Sequence, residues 1–273
     1  MKRKKIVVYT DRNTATGTLI PRLRQSFHGV TLKKITEADL YQARTLDQNT
    51  LAFVLPGIIG EDSLYPAHIG AKGNEALRHY VEEGGIFIGV CAGAYYACRE
   101  ILYDPPWRAQ PKRAKPGLDF FNGLARGSIP ELGKKGDIDW FSDCTVVMIT
   151  YKGGQRQTGI AYGNGPALYP DITEKNIEIM ARYANSEGQP IAIAAKKIGK
   201  GLAIFIGVLP DIGYESDYDL SSHPVLTEFM QTLKPHEQGR REVWDMIISK
   251  VKQHHADNGR VTLYGKPSGD PAP

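Results

Sequence analysis

The sequence predicts an α/β fold in which a parallel sheet is sandwiched by helices and is followed by an antiparallel extension and C-terminal helices. Two observations carry this prediction. In the first hundred residues, short apolar runs alternate with amphipathic segments, which is typical of parallel strands joined by helical crossovers. Closely spaced apolar runs separated by turn residues come next, and two further amphipathic segments follow them.

The chain opens with a strand, a helix and a second strand. KIVVYTD (5–11) predicts the first strand, and TATGTLIPRLRQSF (14–27) predicts a helix with Thr14 or Thr16 as its N-cap. VTLKKIT (30–36) predicts the second strand. Thr14, Thr16 and Gly17 would also suit an anion at the start of that helix, although a plain helix cap explains them equally well.

Two more buried strands follow. LAFVLPG (51–57) predicts the third strand, NEALRHYVEEGG (74–85) predicts an amphipathic helix closed by glycines, and the run that ends before Cys91 predicts the fourth strand. In a parallel sheet the binding crevice lies at the carboxyl ends of the strands, and Asp11, Gly57 and Cys91 all stand at such ends.

The composition and the apolar pattern of the sequence change after Ile101. A basic, proline-rich segment (103–116) predicts a long surface excursion. Antiparallel strands are expected within 144–150, 158–170 and 177–184, a hairpin within 190–208, and helices within 223–233 and 241–253. The expected organisation is one domain over 1–215, a helical appendage over 216–255 and a mobile tail over 256–273.

Composition excludes several classes of protein. The 273 residues are 41% hydrophobic and 23% charged, and no apolar run approaches the roughly 20 residues that a membrane span needs. Of the 34 basic residues, four stand at positions 2–5, so the rest of the chain carries 30 basic and 30 acidic residues and no basic field for nucleic acid. Three scattered cysteines fit a reducing cytoplasm and supply neither a disulfide framework nor a zinc site. No cofactor or metal is expected.

The stretch GGIFIGVCAGAYYAC (84–98) carries the strongest chemical signal. Cys91 stands between a strand and a helix with a glycine two residues away on each side, which matches the G-x-nucleophile-x-G elbow of hydrolase-like enzymes. A helix N-terminus lowers the pKa of a thiol, and the amide of Ala92 would face a developing oxyanion. The plainer reading is a scaffold turn around a buried thiol.

Other residues are candidates for the same crevice. Gly57 and Ile58 would supply a second oxyanion amide, since glycine lets the backbone approach a ligand closely. Glu61 and Asp62 follow them, although exposed loop carboxylates are usually only solvated. As a base, His68 or His223 could reach the crevice, but a surface or capping role explains either histidine more simply.

The basic segment is a further candidate. Its cations stand beside a tryptophan and could form a lid that recruits an anionic ligand, although a solvated basic loop is the more common outcome. The residues concerned are Trp107, Arg108, Lys112, Arg113 and Lys115.

Five stretches in order resemble one known family: VYTDRNTATGTL, FVLPGIIGED, GVCAGAYYAC, LDFFNGLARG and KIGKGLAIFIGVLPD. From about Ile6 to Asp211 the chain resembles the N-terminal domain of biotin-protein ligases, a class I glutamine amidotransferase-like family. The resemblance implies a flavodoxin-like fold. In working amidotransferases the elbow cysteine attacks an amide carbonyl to form a thioester, and a His-Pro-Glu after the last strand supplies the base and its orienting carboxylate.

This chain differs from working amidotransferases at the position of the catalytic base. The corresponding place reads Leu209-Pro210-Asp211, and a leucine side chain neither accepts nor relays a proton. Asp211 could stand for the glutamate. No ligase-sized domain follows Asp211, so biotinylation is not expected.

Three functions therefore stay open at this point, and the sequence leaves undecided whether the protein is an enzyme. The first is a cysteine-dependent amide or ester hydrolase with Cys91 as nucleophile, Gly57 and Ala92 as oxyanion amides, Asp211 as a triad remnant and a small-molecule substrate. The second is a degenerate domain that binds a small molecule or a partner protein without turnover. The third is a redox or carbonyl-responsive cysteine protein.

Overall fold

The N-terminal part of the chain alternates strands and helices, as the apolar periodicity predicts. The computed structural model describes residues 3–42, 45–60, 62–105, 108–129, 131–132, 144–214 and 224–258. Its first elements are β1 (Lys5–Tyr9), β2 (Thr14–Ala15), α1 (Leu19–Ser26), β3 (Thr31–Ile35), α2 (Glu37–Leu40), β4 (Thr50–Leu55), β5 (Gly57–Ile58), α3 (Tyr65–His68), α4 (Gly70–Glu82), β6 (Ile86–Val90) and α5 (Ala92–Tyr96).

The remaining described elements are mostly strands and end in two helices. They are β7 (Cys98–Tyr103), β8 (Lys112–Ala114), β9 (Phe121–Gly127), β10 (Thr145–Tyr151), β11 (Arg156–Tyr162), β12 (Ala167–Pro170), β13 (Ile177–Tyr183), β14 (Ile191–Ile198), β15 (Gly201–Ile206), α6 (Pro224–Leu233) and α7 (Glu237–Asp257).

Five strands form the parallel part of the sheet in the order β3-β1-β4-β6-β15. Every residue of β4, β6 and β15 is buried, which explains why their sequences are continuous apolar runs and do not alternate with polar residues. The predicted α/β fold with a flavodoxin-like parallel sheet is confirmed.

The antiparallel extension continues the same sheet from β15. β14 pairs antiparallel with β15 and also contacts β12 and β13, and β10 joins β11 to β13. Beyond β12 the sheet continues through β9, β7 and β8, where β7 runs parallel to β9. The predicted antiparallel strands and the hairpin around 199–201 are therefore confirmed.

Alternating side chains of the sheet form two cores, one on each face. Ile6 and Val8 of β1 belong to the core that α1, α6 and α7 cover, whereas Val7 and Tyr9 belong to the core beneath α3, α4 and α5. The C-terminal helices thus bury their apolar side chains against the parallel sheet. Residues 215–223 and 259–273 lie outside the described part, so the expected domain boundary and tail stay predictions.

Two local predictions are wrong. Thr14 and Ala15 form β2, which pairs with β5, and the first helix begins only at Leu19 with Thr18 as its N-cap. The helix expected after Cys91 would include Cys98 two turns on, but α5 ends at Tyr96 and Cys98 begins β7, which pairs with the distant β9. In both places a strand partner far along the chain overrides the local helical pattern.

The basic excursion is only partly a loop. Within 103–116, residues Lys112–Ala114 form β8, a short edge strand that pairs antiparallel with β7.

Within the described residues, no helix combines the length and the apolar character that crossing a membrane would require.

Candidate functional site

Cys91 stands in a sharp turn between β6 and α5, hereafter the Cys91 turn (residues 90–93). Its backbone has φ +49° and ψ −105°, a left-handed conformation that side chains other than glycine rarely adopt. The Cys91 amide donates to Ile206 O at 2.8 Å, and the Gly93 amide donates to Pro56 O at 3.2 Å. The ends of β15 and β4 therefore hold the turn in its strained geometry.

Glycines let this turn approach its neighbours. A Cβ atom at Gly93 would lie 2.0 Å from Leu55 O, and one at Gly89 would lie 2.6 Å from Gly93 O. A Cβ atom at Gly57 would lie 3.3 Å from the Cβ of Cys91. The structure therefore brings Gly57 and Cys91 together, as their positions at the ends of parallel strands predict.

The Cys91 thiol is buried, and its pKa is raised. Its Sγ donates to Gly163 O at 3.6 Å, and the residue is 9% exposed. Burial raises the pKa of the thiol to about 12; a hydrogen bond from the Ala92 amide lowers the pKa and the nearby Asp211 carboxylate raises it, but both effects are smaller than that of burial. The structure therefore does not favour the expected acidified thiol, because the effect of burial on the pKa is larger than that of a five-residue helix and one amide.

The Leu209 to Asp211 turn lies close to this thiol. Leu209 is 8% exposed, and its Cδ1 lies 3.3 Å from where a Cβ of Gly163 would be. The Leu209 amide donates to Ala161 O at 2.8 Å, and Arg240 Nη1 donates to Pro210 O at 2.5 Å. An apolar side chain therefore stands near the thiol where the resemblance expects an imidazole.

Asp211 is buried and faces Thr18. The Thr18 hydroxyl donates to Asp211 Oδ2 at 2.5 Å, and Asp211 Oδ1 is buried without a hydrogen-bond partner among the described residues. Burial raises the pKa of this carboxyl above its usual value. The Thr18 hydroxyl, which the sequence did not single out, is the group that fixes the carboxylate.

No histidine of the described residues lines the cavity near Cys91. His68 Nδ1 lies 3.4 Å from the Tyr9 hydroxyl and 3.7 Å from Asp11 Oδ2, and His68 does not line the cavity described below. His223 lies outside the described residues. Among the described residues, no group of three or more histidine, cysteine or acidic side chains converges as a metal site would require.

The loop of residues 163–166 is a part of the site that the sequence analysis missed. Hydroxyl groups fix it at four points: Tyr95 donates to Asn164 O at 3.0 Å, Tyr162 to Gly165 O at 3.0 Å, Tyr183 to Pro166 O at 3.0 Å, and Ser128 to Asn164 Oδ1 at 2.7 Å. The signal available in the sequence was GNGP between two strands. The loop presents the carbonyl that holds the Cys91 thiol.

A cavity of about 190 Å³ lies beside Cys91. Most of its lining side chains are aliphatic or aromatic: Ile58, Ile59, Pro66, Ala92, Tyr95, Tyr96, Ile101, Tyr103 and Ala114. Its polar lining residues are Asp62, Ser63, Lys112 and Asn164. The cavity is thus largely apolar with a few polar groups, which is usual for small-molecule sites.

An ion cluster of Asp62, Arg108 and Lys112 stands at this cavity. Arg108 Nη2 lies 3.1 Å and 3.2 Å from the two Asp62 oxygens, and Lys112 Nζ lies 2.7 Å from Oδ1. The hydrogen bond from Lys112 is the main cause that lowers the pKa of Asp62. Of the basic segment, Lys112 and Ala114 line the cavity, and Arg108 reaches it only through Asp62. Trp107 and Glu61 lie outside the described part.

The other two cations of the segment point elsewhere. Arg113 is exposed and pairs in register with Leu102, and Lys115 Nζ lies 3.4 Å from Glu100 Oε1. At the predicted anion site of Thr14, Thr16 and Gly17, neither threonine is the helix cap, since α1 begins at Leu19 with Thr18 as its N-cap. The Thr14 hydroxyl instead donates to Asp11 O at 3.0 Å.

Comparison with known proteins gives a family match over nearly the whole chain. A family model described as "Biotin-protein ligase, N terminal" matches residues 5–264. An uncharacterized protein of Chlamydia muridarum is 23% identical over 257 residues, which cover 92% of this chain and 96% of that protein. A biotin--protein ligase of Schizosaccharomyces pombe is 24% identical over 240 residues, which cover 82% of this chain but only 36% of that ligase.

Solved structures of low sequence identity share the fold. A glutamine amidotransferase of Thermotoga maritima has a TM-score of 0.55 at 8% identity, covering 92% of this chain and 99% of its own. A glutamine amido transferase of Methylobacillus flagellatus also has a TM-score of 0.55 at 8% identity, covering 98% of this chain and 99% of its own. At such identities the likeness concerns the fold alone.

Proposed function

Because the chain belongs to the biotin-protein ligase N-terminal family, we propose that it is a glutamine amidotransferase-like domain that binds a small molecule in the cavity beside Cys91 without hydrolysing it. The chain spans about a third of the fission yeast ligase that it matches, so the ligase reaction is not part of the proposal. The proposal includes a cytoplasmic location, which is supported by the three cysteines, since they form no disulfide.

The single observation that carries the proposal is the state of the Cys91 thiol. A thiol with a pKa of about 12 that donates to Gly163 O is a poor nucleophile at neutral pH, since the thiolate is the reactive form. No histidine among the described residues lines the cavity, so none of them is placed to accept the thiol proton there.

The cavity itself supports binding. Its walls are mostly apolar, and the loop of residues 163–166 is held by four hydroxyl groups, so the loop has little conformational freedom to lose when a ligand enters. Burial of an apolar ligand surface against these walls would supply the binding free energy.

Isoleucine methyl NMR can test this proposal directly. Ile58, Ile59 and Ile101 line the cavity, so titration of ¹³C-methyl-labelled protein with the neutral probe phenylacetamide should shift their signals in a saturable way. Ala114→Trp should fill the cavity and abolish the shifts. Arg113→Trp is the matched control, because Arg113 is the neighbouring residue of β8 and is exposed. This variant should keep the methyl shifts.

Turnover is measured in parallel as ammonia release from glutamine by the parent protein and by Cys91→Ser. We expect no release that depends on Cys91. Release that Cys91→Ser abolishes would overturn the claim that the domain does not hydrolyse. An absence of saturable methyl shifts with phenylacetamide and also with its charged analogues phenylacetate and phenethylammonium would overturn the claim that the cavity binds small molecules.

A cysteine-dependent amide or ester hydrolase is the second candidate, favoured by the strained φ of Cys91 and by the Ala92 amide that faces the thiol. In that reaction the sulfur attacks the carbonyl carbon, the thiol proton passes to the departing amine or alcohol, and water then hydrolyses the thioester. Gly57 and Ala92 would stabilise the oxyanion. Hydrolysis of p-nitrophenyl acetate that is lost in Cys91→Ser and kept in Cys98→Ser would support it.

A further inference from the structure

We propose that the cavity beside Cys91 selects an organic anion, whose apolar or aromatic group enters the cavity and whose carboxylate replaces Asp62 on Arg108 and Lys112. This proposal rests on the proposed function, because it names the class of small molecule that the cavity takes. It concerns residues of the basic segment, which the chemistry of the Cys91 turn does not involve.

The register of β7 and β8 fixes which side chains reach the cavity. Ile101 pairs with Ala114 and Tyr103 pairs with Lys112, and all four line the cavity. Successive side chains of a strand point to opposite faces, so Arg113, between Lys112 and Ala114, is directed away. Lys112 is thus the cation of β8 that faces a bound molecule.

The ion cluster already holds a carboxylate in the geometry that a ligand would need. One Arg108 nitrogen contacts both Asp62 oxygens, and Lys112 adds a third hydrogen bond. The Asp62 side chain is 50% exposed, and exposed ion pairs are held weakly because water competes for both partners. A carboxylate brought in by a ligand can therefore take the place of Asp62.

The charge balance favours an anion over a neutral or cationic ligand. Among the described residues of the cluster, two cations meet one carboxylate, which gives these three side chains a net positive charge. A cationic ligand would meet this excess charge, and a neutral amide would gain little from it. The aromatic walls suit a planar apolar group: Tyr95 and Tyr103 pack edge to face, with their ring centroids 5.7 Å apart.

Three probes of nearly the same size separate these possibilities: phenylacetate, phenylacetamide and phenethylammonium. Dissociation constants are measured from the isoleucine methyl shifts. We expect phenylacetate to bind about tenfold more tightly than phenylacetamide, and phenethylammonium to bind most weakly. Added salt should weaken the binding of phenylacetate and leave that of phenylacetamide nearly unchanged.

Variants assign the effect to residues. Asp62→Asn should tighten phenylacetate binding several-fold, because the two cations lose their internal competitor, and should leave phenylacetamide unchanged. Lys112→Gln should remove most of the preference for phenylacetate. Arg113→Gln is the matched control, with the same loss of charge on the exposed side of β8, and should keep the preference.

The outcomes distinguish this proposal from the one on which it rests. If phenylacetamide binds and phenylacetate binds no more tightly, or if Arg113→Gln lowers the preference as much as Lys112→Gln, the anion proposal is wrong while the cavity still binds small molecules. If none of the three probes shifts the isoleucine signals, the proposed binding function itself fails.

Discussion

The Sγ atom of Cys91 lies 3.6 Å from the carbonyl oxygen of Gly163, and the thiol donates its proton to this carbonyl. A carbonyl accepts a hydrogen bond from the thiol but does not remove its proton, so the contact stabilises the neutral thiol. The same turn has the strained backbone that places a side chain in a crevice. Cys91 is therefore presented to the cavity as a polar, un-ionised group.

The first prediction concerns the reactivity of Cys91. A rise in pKa from 9.0 to about 12 lowers the thiolate fraction about a thousandfold at neutral pH, and the greater nucleophilicity of a more basic thiolate recovers about half of this on a logarithmic scale. We expect iodoacetamide to label Cys91 at least about thirtyfold more slowly in the native protein than in the urea-unfolded protein, as measured by mass spectrometry. Fast labelling of Cys91 in the native protein at mildly acidic pH would show instead that the pKa of its thiol is lowered.

The second prediction concerns the glycines of the Cys91 turn. Gly93→Ala places a Cβ atom 2.0 Å from a backbone oxygen of β4, which has no room to move, and should lower the free energy of unfolding by about 3 kcal/mol. Gly57→Ala meets the Cys91 side chain at 3.3 Å and should cost about 1 kcal/mol. Urea denaturation of both variants measures the two costs, and the opposite ranking would contradict the packing described here.

The structure explains which parts of the fold the sequence predicts. β4, β6 and β15 are predicted because complete burial leaves a continuous apolar run that no loop resembles. β2 and β7 were missed because their strand pairing depends on partners that local sequence does not reveal, namely β5 and β9.

The same distinction holds for the site. The proximity of Gly57 and Cys91 follows from topology, since both stand at the carboxyl ends of adjacent parallel strands. The pKa of Cys91 does not follow from its place before a helix, because it depends on burial by several distant segments. The Gly163 carbonyl was missed for the same reason, since three tyrosines from separate strands and helices fix its loop.

The third prediction concerns the pH dependence that Asp211 imposes. The folded protein raises the pKa of this carboxyl above 3.8, so its stabilising contribution is complete below about pH 4 and is lost as pH rises through the folded pKa. Asp211→Asn removes the ionisation. The free energy of unfolding of this variant should therefore rise relative to that of the parent protein as the pH is raised from about 4 to about 8. Thermal unfolding across this range measures the difference.

The control for this prediction is Asp245→Asn, which removes an exposed carboxyl on α7 and should show no such trend. A difference between Asp211→Asn and the parent protein that is the same at every pH would mean that Asp211 ionises in the fold without cost. In that case Arg22 and Arg240, whose positive charges lower its pKa, would balance the effect of burial.

The last prediction tests the vacant base. Leu209 packs beside Gly163, whose carbonyl accepts from the thiol, so the imidazole of Leu209→His should come within reach of Cys91 Sγ. A thiolate and imidazolium pair should then lower the pKa of Cys91, as followed by the ultraviolet absorbance of the thiolate. Leu209→Gln is the control, because its amide is polar but accepts no proton at neutral pH.

The same variant separates binding from catalysis. If the amides of Gly57 and Ala92 form an oxyanion site, Leu209→His should hydrolyse p-nitrophenyl acetate about a hundredfold faster than the parent protein, and the additional change Cys91→Ser should abolish the gain. A lower pKa without faster hydrolysis would mean that the cavity has no oxyanion site, as the binding proposal expects. An unchanged pKa in a folded variant would show that position 209 does not face the thiol, and the missing histidine would then not explain its inertness.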